Sequence, residues 1–398
     1  MQTTTIMERR HDIDWLRVIA IILVLYFHTA MIFAAEWGWH IKNNELSYIW
    51  LEFNDWLSRF RMPLLFFISG YGSYLALRKR TSGRYLKERS LRLLVPLVFA
   101  MLIIVPPQIY FERIFNGATF NYLSFYPTVF NFVPYPEGNL SWHHMWFVLY
   151  LFIYSAILLP VFLYLRKENV QKRVNNVIKN NGWLAYIILV APTIIIYLTY
   201  TINTNRANDL IHDGGWLTYW GTFFLAGYLA GTAPSMWVRI EKDTRSLAGL
   251  AILSTILINI VRWNRIELDA MLEFAYLFLL PLSGWLWLLA MLSFGKRFLN
   301  KSHPVLVYAN RAIYPFYILH QTIIIIIGYY IVTLVDEGIL AKYIFISSAS
   351  FILSVVIYEY LIRPYRVMRF LFGVKELPKS EKQKDFSNLE ERAEYKAA

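Results

Sequence analysis

The chain has 398 residues, of which 57% are apolar, 18% aromatic and 17% charged, with a formal net charge of +12 and no cysteine. Soluble domains carry about a quarter charged residues, so this composition and a mean hydropathy of +0.40 exclude a soluble enzyme. Without cysteine there is no disulfide framework, no thiolate nucleophile and no cysteine-containing metal centre.

The apolar residues gather into blocks of about 18 to 25 residues, each able to cross the ~30 Å hydrocarbon core of a bilayer as a helix. In chain order they cover residues 15–35, 63–77, 93–110, 144–165, 183–200, 216–233, 247–262, 271–294, 312–335 and 341–362. The expected fold is all-α, a polytopic transmembrane bundle of about ten spans forming one domain over residues 1–372, followed by a polar cytoplasmic tail over 373–398. The first block lacks a small-residue cleavage site and reads as a retained helix.

The lysines and arginines lie in short segments between the blocks, where they set orientation against membrane lipids. Nucleic acid is discounted as a partner. Arg9 and Arg10, the segment from Arg78 to Arg92, Arg166 to Lys179, Arg239 to Arg245, Lys296 to Lys301 and the tail from Arg363 are basic. The alternate segments hold little beyond Lys42, Arg113, Arg206 and Arg265. Both termini are therefore expected in the cytoplasm, with the protein in the plasma (inner) membrane. Arg59 and Arg61 stand against this rule on the outer side. Residues 47–60 are expected as an interfacial helix, because Glu52, Asp55 and Arg59 share one helical face. The outer segment 111–142 is rich in Tyr, Phe, Asn and Pro; it suits either sugar rings or an aromatic belt at the membrane surface.

Ionisable side chains inside apolar spans are costly and tend to line functional cavities. In the first span, Asp14-Trp-Leu-Arg17 precedes His28 by ten further residues. Eleven positions are close to three helical turns, so Arg17 and His28 project from one face, ~16 Å apart. A cation at the cytoplasmic mouth suits the phosphates of a donor, and a deep imidazole suits a general base. Against this, Arg17 can snorkel to lipid phosphates and His28 can be a packing residue. Asp14 is expected to hold Arg17 as an ion pair.

Two further histidine clusters sit at compatible depth: Ser141-Trp-His143-His144-Met-Trp146 and Tyr317-Ile-Leu-His320-Gln321. Neither shows the i+3 or i+4 ligand recurrence of a helical zinc site, and no metal or redox cofactor is expected. His40, His212 and His303 fall in loops and His11 precedes the first span; all four read as surface residues. Arg89 and Arg92, one turn apart, suit a polyphosphate or are topogenic. Ser69-Gly70 marks a small-residue site in the second span, for helix packing or substrate passage.

Taken in order, Asp14-Trp-Leu-Arg17 with His28, the Met62-Pro-Leu-Leu-Phe-Phe-Ile-Ser-Gly70 run, Arg89 and Arg92 before Pro96, His144-Met-Trp-Phe-Val and Tyr314-Pro-Phe-Tyr-Ile-Leu-His320-Gln resemble the integral-membrane acyltransferase 3 family. The resemblance implies transfer of an acyl group, acetyl or succinyl, from cytosolic acyl-CoA as co-substrate to a hydroxyl of an extracytoplasmic carbohydrate. It implies that Arg17 and His28 are the essential pair and that Arg89 and Arg92 serve the donor; Asp14 is expected in the catalytic group with the first pair, and Ser69 is expected to bind the donor with the second. His144, Trp146, Tyr317 and His320 are then expected to bind or orient the acceptor. Arg61-Met-Pro and the ending Glu359-Tyr-Leu-Ile-Arg-Pro364 look most like a subgroup that succinylates periplasmic glucans. The competing reading is a proton-coupled secondary transporter of a small polar or anionic solute, whose path would also need buried His and Arg.

Overall fold

The computed structural model describes residues 9–181, 183–202, 204, 210–336 and 338–375; the expected tail lies outside the described residues from 376 onward. The described residues are helical, with two isolated backbone bridges, Ala34 to Ser47 and Pro134 to Leu140. In chain order the helices are α1 (His11–Met31), α2 (Tyr48–Lys79), α3 (Ser82–Phe115), α4 (His143–Ile157), α5 (Leu159–Leu165), α6 (Glu168–Asn180), α7 (Ala185–Thr201), α8 (Gly214–Thr232), α9 (Pro234–Lys242), α10 (Thr244–Trp263), α11 (Ala270–Leu299), α12 (Pro304–Leu334), α13 (Ile339–Ile362) and α14 (Arg366–Leu371).

Each apolar block falls on a helix, with ends displaced by a few residues. Six helices, α1, α3, α10, α11, α12 and α13, are long and apolar enough to cross a membrane. Two more spans arise if the bent pairs α4–α5 (56°) and α6–α7 (103°) each cross once. The remaining two expected spans lie in α2 and α8, which are not among these candidates. The physical reason is that both face protein: Gly70 and Gly227 bring the two backbones together, and an added Cβ would lie 1.8 Å from the Phe224 carbonyl oxygen and 1.9 Å from that of Phe67, respectively. A helix sheathed by protein needs less hydropathy than one facing lipid. By contrast α10 is only 22% buried over its apolar window and exposes Ile252, Leu253, Ile256, Leu257 and Ile260, whereas α1 and α12 are 61% buried and central.

Residues 47–60 do not form a separate interfacial helix; they are the first turns of the 32-residue α2, capped by Ser47, whose hydroxyl accepts from the Ile49 N–H. The shared face of Glu52, Asp55 and Arg59 meets Arg262 of α10. Arg61, the other cation placed against the charge rule, is buried with its guanidinium 3.5 Å over the Phe27 ring. Arg59 pairs with Asp55 on its own helix and reaches Asn259 of α10 at 3.4 Å, and Arg61 lies over a ring of α1. In segment 111–142, α3 runs on to Phe115, and Phe125 and Val129 pack against Val105 and Ile109, while Phe120, Phe130 and Phe132 stay exposed.

Helix α1 ends at Met31, four residues before the apolar block does. Lys42 reaches back over this end and donates to the carbonyls of Met31 (2.8 Å), Ala34 (2.5 Å) and Trp37 (2.9 Å), groups a helix terminus leaves unsatisfied. Burial pulls the Lys42 ammonium down to about 8, against about 10.4 in an unfolded chain. Between these values the unfolded chain binds more protons, so the Lys42 contribution to stability rises with pH and is lost as pH falls through 8. Thermal melts across this range should lose that slope in Lys42→Met.

Helix α3 contains two π turns, Ser90–Leu94 and Ala100–Ile104, followed closely by Pro96 and Pro106. Proline has no N–H for the ordinary i→i−4 bond, and the wider turns accommodate it. They also rotate Arg92 and Gln108 relative to a continuous α-helix.

Candidate active site

The two central helices bring His28 and His320 together. Their rings stack at 5.1 Å and 7°, with His28 Nδ1 2.9 Å from His320 Nε2. The proton positions follow from the neighbours. His320 Nδ1 faces the Tyr317 carbonyl (2.5 Å), which only accepts, so this nitrogen carries the hydrogen. In the neutral ring His320 Nε2 is then an acceptor and His28 Nδ1 the donor. His28 Nε2 is left with its lone pair; it makes no hydrogen bond among the described residues and is not one of the enclosed unpartnered atoms. One carbonyl on α12 thus fixes which nitrogen of a histidine on α1 is basic.

His144 stands edge-on to His320 at 5.3 Å. Its Nε2 donates to the Ile318 carbonyl at 3.1 Å and its Nδ1 receives the Gln108 amide at 3.4 Å. The Tyr317 hydroxyl donates to the His144 backbone carbonyl. His144 and Tyr317 therefore spend their polar atoms on each other's segments and hold the His320 helix in place. Trp146, expected to bind or orient the acceptor, lies 5.1 Å from Tyr150, 6.0 Å from Phe66 and 6.2 Å from Trp220.

Beyond His144 the polar chain continues through residues the sequence reading did not connect. Gln108 donates to Thr322 (2.7 Å) and accepts from Gln321 (3.0 Å), Gln321 donates to His40 Nε2 (3.2 Å), and His40 Nδ1 donates to Glu112. His40 is consequently not a surface residue; it is half-buried, with His143 stacked on it at 4.8 Å. His212 and His303 are exposed, as expected of loop residues, and His11 is half-buried. His143 has φ 39, a left-handed backbone that a bulky residue adopts at a cost and that accompanies this stack. Tyr135 donates to Glu112 at 2.7 Å; burial, then that carboxylate, pushes its phenol up.

His40, Glu112 and His143 bring ligand atoms within 4.8 Å of one another. Two imidazoles and a carboxylate make a zinc-type donor set, and among the described residues this is where a metal could be held. Three different segments supply the set, so no helical ligand spacing announces it. His40 already has hydrogen bonds on both nitrogens, which a metal would have to displace.

The other end of α1 carries the cationic mouth. Asp14 is held between Arg17 (2.8 Å) and Arg9 (2.9 Å). Arg89 donates to Ser73 (2.8 Å) and Arg92 to the Gly373 carbonyl (3.5 Å). The arginine pair thus makes contact with two elements, α2 and the segment after α14. Lys375 joins them: burial, then Arg92 and Arg80, pull its ammonium down. Ser69 is not oriented toward this mouth by hydrogen bonding; its hydroxyl donates to its own helix at Leu65 (2.8 Å), and Ser73 one turn on is the residue that meets Arg89.

A multi-pass helical bundle with an imidazole centre between a cationic mouth and an aromatic far end is suited to group transfer inside a membrane. Residues 10–359 match the family model of the acyltransferase domain, acyltransferase 3, and the chain belongs to that family; it is a membrane acyltransferase. The chain is also similar to proteins named Glucans biosynthesis protein C from Salmonella heidelberg, Salmonella schwarzengrund and Salmonella dublin, each 24% identical and covering 94% of this chain and 97% of the relative. No solved structure matches. The family implies an acyl donor as co-substrate and a carbohydrate kind of acceptor, and it gives the transporter alternative no support.

Proposed function

We propose that the protein moves an acyl group, acetyl or succinyl, from cytosolic acyl-CoA to a hydroxyl of an extracytoplasmic glycan, a glucan in the case its relatives' names suggest. The observation that carries this reading is the free, basic Nε2 of His28, set by the His320 tautomer. The donor enters at the cationic mouth, its phosphates near Arg17, Arg89, Arg92 and Lys375, with the thioester directed along α1. Asp14 orients Arg17 and is a positioning residue. Ten spans, the eight candidates with α2 and α8, put both termini in the cytoplasm of the inner membrane and make residues 1–372 one domain. The histidine centre then opens to the far side.

In the reaction His28 Nε2 takes the proton of the acceptor hydroxyl as its oxygen bonds to the thioester carbonyl carbon. The tetrahedral oxyanion collapses, the carbon–sulfur bond breaks, and the departing thiolate takes the proton from His28, leaving the ester and free CoA. Arg61, buried over the Phe27 ring next to His28 in sequence, supplies positive charge for the oxyanion or for a succinyl carboxylate. His320 fixes the His28 tautomer, with His144 and Tyr317 behind it as positioning residues.

The test is transfer of radiolabelled acyl groups by purified protein in a reconstituted bilayer. His320→Phe should lower kcat about 10- to 100-fold, the size seen when a partner that orients an imidazole is removed, with acyl-CoA affinity unchanged. Equal activity in this variant would remove the tautomer argument. Ser73→Ala should instead raise the donor KM about tenfold at constant kcat, because a hydrogen bond to a charged group contributes about 1.5 kcal/mol or more; an unchanged KM would take Arg89 out of donor binding.

A further inference from the structure

At the bundle end opposite the cationic mouth, a cavity of about 350 Å³ opens between α2, α7, α8, α10 and α11, inside the size range of small-ligand sites. Asp55, Arg59, Arg262, Trp216, Tyr219 and Tyr276 line it. Gly284 lets α11 pack closely on α2 beside it, since a Cβ there would lie 2.9 Å from the Arg59 carbonyl. None of these residues belongs to the histidine centre.

Four charges form one side. Arg262 pairs with Glu52 and, at 2.6 Å, with Asp55; Arg59 pairs with Asp55 and stands 3.4 Å from Asn259 Oδ1. Two cations and two anions cancel, so the cavity has no net preference for an anion. Such a network is expensive to bury, and apolar residues of similar volume commonly stabilise as well or better. The Arg59 side chain is 8% exposed, yet its Nη1 has no hydrogen-bond partner among the described residues, and neither has Glu52 Oε2. Arg59, which lines the cavity beside its aromatic walls, thus keeps one donor without a partner among the described residues.

A neutral sugar ring matches this surface. Its hydroxyls both donate and accept, and its C–H faces lie on aromatic rings. A row of packed rings joins the cavity wall to the centre: Trp220, a further wall residue, stacks on Phe66 at 5.8 Å, Phe66 meets Phe147 at 4.7 Å, and Phe147 meets Tyr317 at 6.1 Å.

We propose that this cavity is a remote subsite holding one neutral sugar ring of an extended acceptor, so that another ring of the same chain is presented to His28. The proposal rests on the carbohydrate acceptor of the proposed function. It accounts for a balanced charge network where an anion site would keep excess cation.

The experiment is calorimetric titration of the full chain in nanodiscs with a linear glucose hexasaccharide and, separately, with acetyl-CoA, for wild type, Leu280→Trp and Tyr276→Ala. Leu280→Trp fills the cavity, and Tyr276→Ala only removes atoms, so it carries the test if the larger side chain disrupts folding. Hexasaccharide affinity should fall at least tenfold in the variants while acetyl-CoA affinity stays at the wild-type value. Unchanged hexasaccharide affinity in a folded variant, or no hexasaccharide binding to a wild type that binds acetyl-CoA, overturns the subsite and leaves the donor reading standing. Loss of hexasaccharide binding in the variants of a protein that binds no acetyl-CoA supports the subsite and overturns acetyl-CoA as the donor.

Discussion

His28→Ala is expected to reduce kcat for acyl transfer about 10³-fold, the middle of the range for a positioned general base, while leaving acyl-CoA affinity within a factor of about two. The two effects separate in the proposed mechanism because Arg17, its first phosphate ligand, stands ~16 Å away along α1, so that the imidazole would meet the donor only at its reacting end. Arg17→Ala should do the reverse, weakening the donor more than it slows turnover. The measurement is single-turnover transfer from radiolabelled acyl-CoA with donor binding determined on the same preparation. A His28→Ala protein within tenfold of wild type would place the base elsewhere. Mass spectrometry of acid-quenched wild type gives a further distinction: an acyl group on His28 would make it a nucleophile, with the transfer split into two steps.

The second large effect is structural. Gly227→Ala is expected to abolish the folded bundle or lower its thermal midpoint severely, whereas Gly72→Ala on α2 should leave it unchanged or slightly raised. A Cβ at Gly227 meets the Phe67 carbonyl at 1.9 Å and one at Gly70 meets that of Phe224 at 1.8 Å, so α2 and α8 would have to part by about 1 Å along their whole seam. Overpacking a rigid contact typically costs 1–3 kcal/mol, more where backbone is the obstacle. At Gly72 nothing lies within 4 Å, and alanine there gains roughly 1 kcal/mol of helix propensity. Thermal-shift curves in detergent compare the two directly; equal midpoints would mean that the α2–α8 seam can yield.

Local information was enough for much of this protein. Apolar block length fixed where helices run, because a bilayer span is a matter of hydropathy over ~20 residues. Helical periodicity put Arg17 and His28 on one face and joined Glu52, Asp55 and Arg59. What hydropathy misjudges is protein-facing surface: α2, with Gly and charged residues, and α8, with Gly and Thr, pack on each other, and a transfer scale cannot distinguish burial in protein from exposure to water. The same limit hid His40, whose loop position gave no sign of the Gln321 and Glu112 side chains waiting from α12 and α3.

The sequence by itself determined the class of molecule, an all-helical membrane protein with a cationic mouth and a deep histidine on its first helix, since each of these is a property of one contiguous segment. The tertiary structure decided which histidines meet, which nitrogen of His28 is basic, that Ser73 and not Ser69 supports Arg89, and that Arg59 and Arg61 are held by partners on other helices. Those outcomes depend on hydrogen bonds and ion pairs between residues up to about three hundred positions apart, set by how helices cross, and no local pattern encodes a crossing.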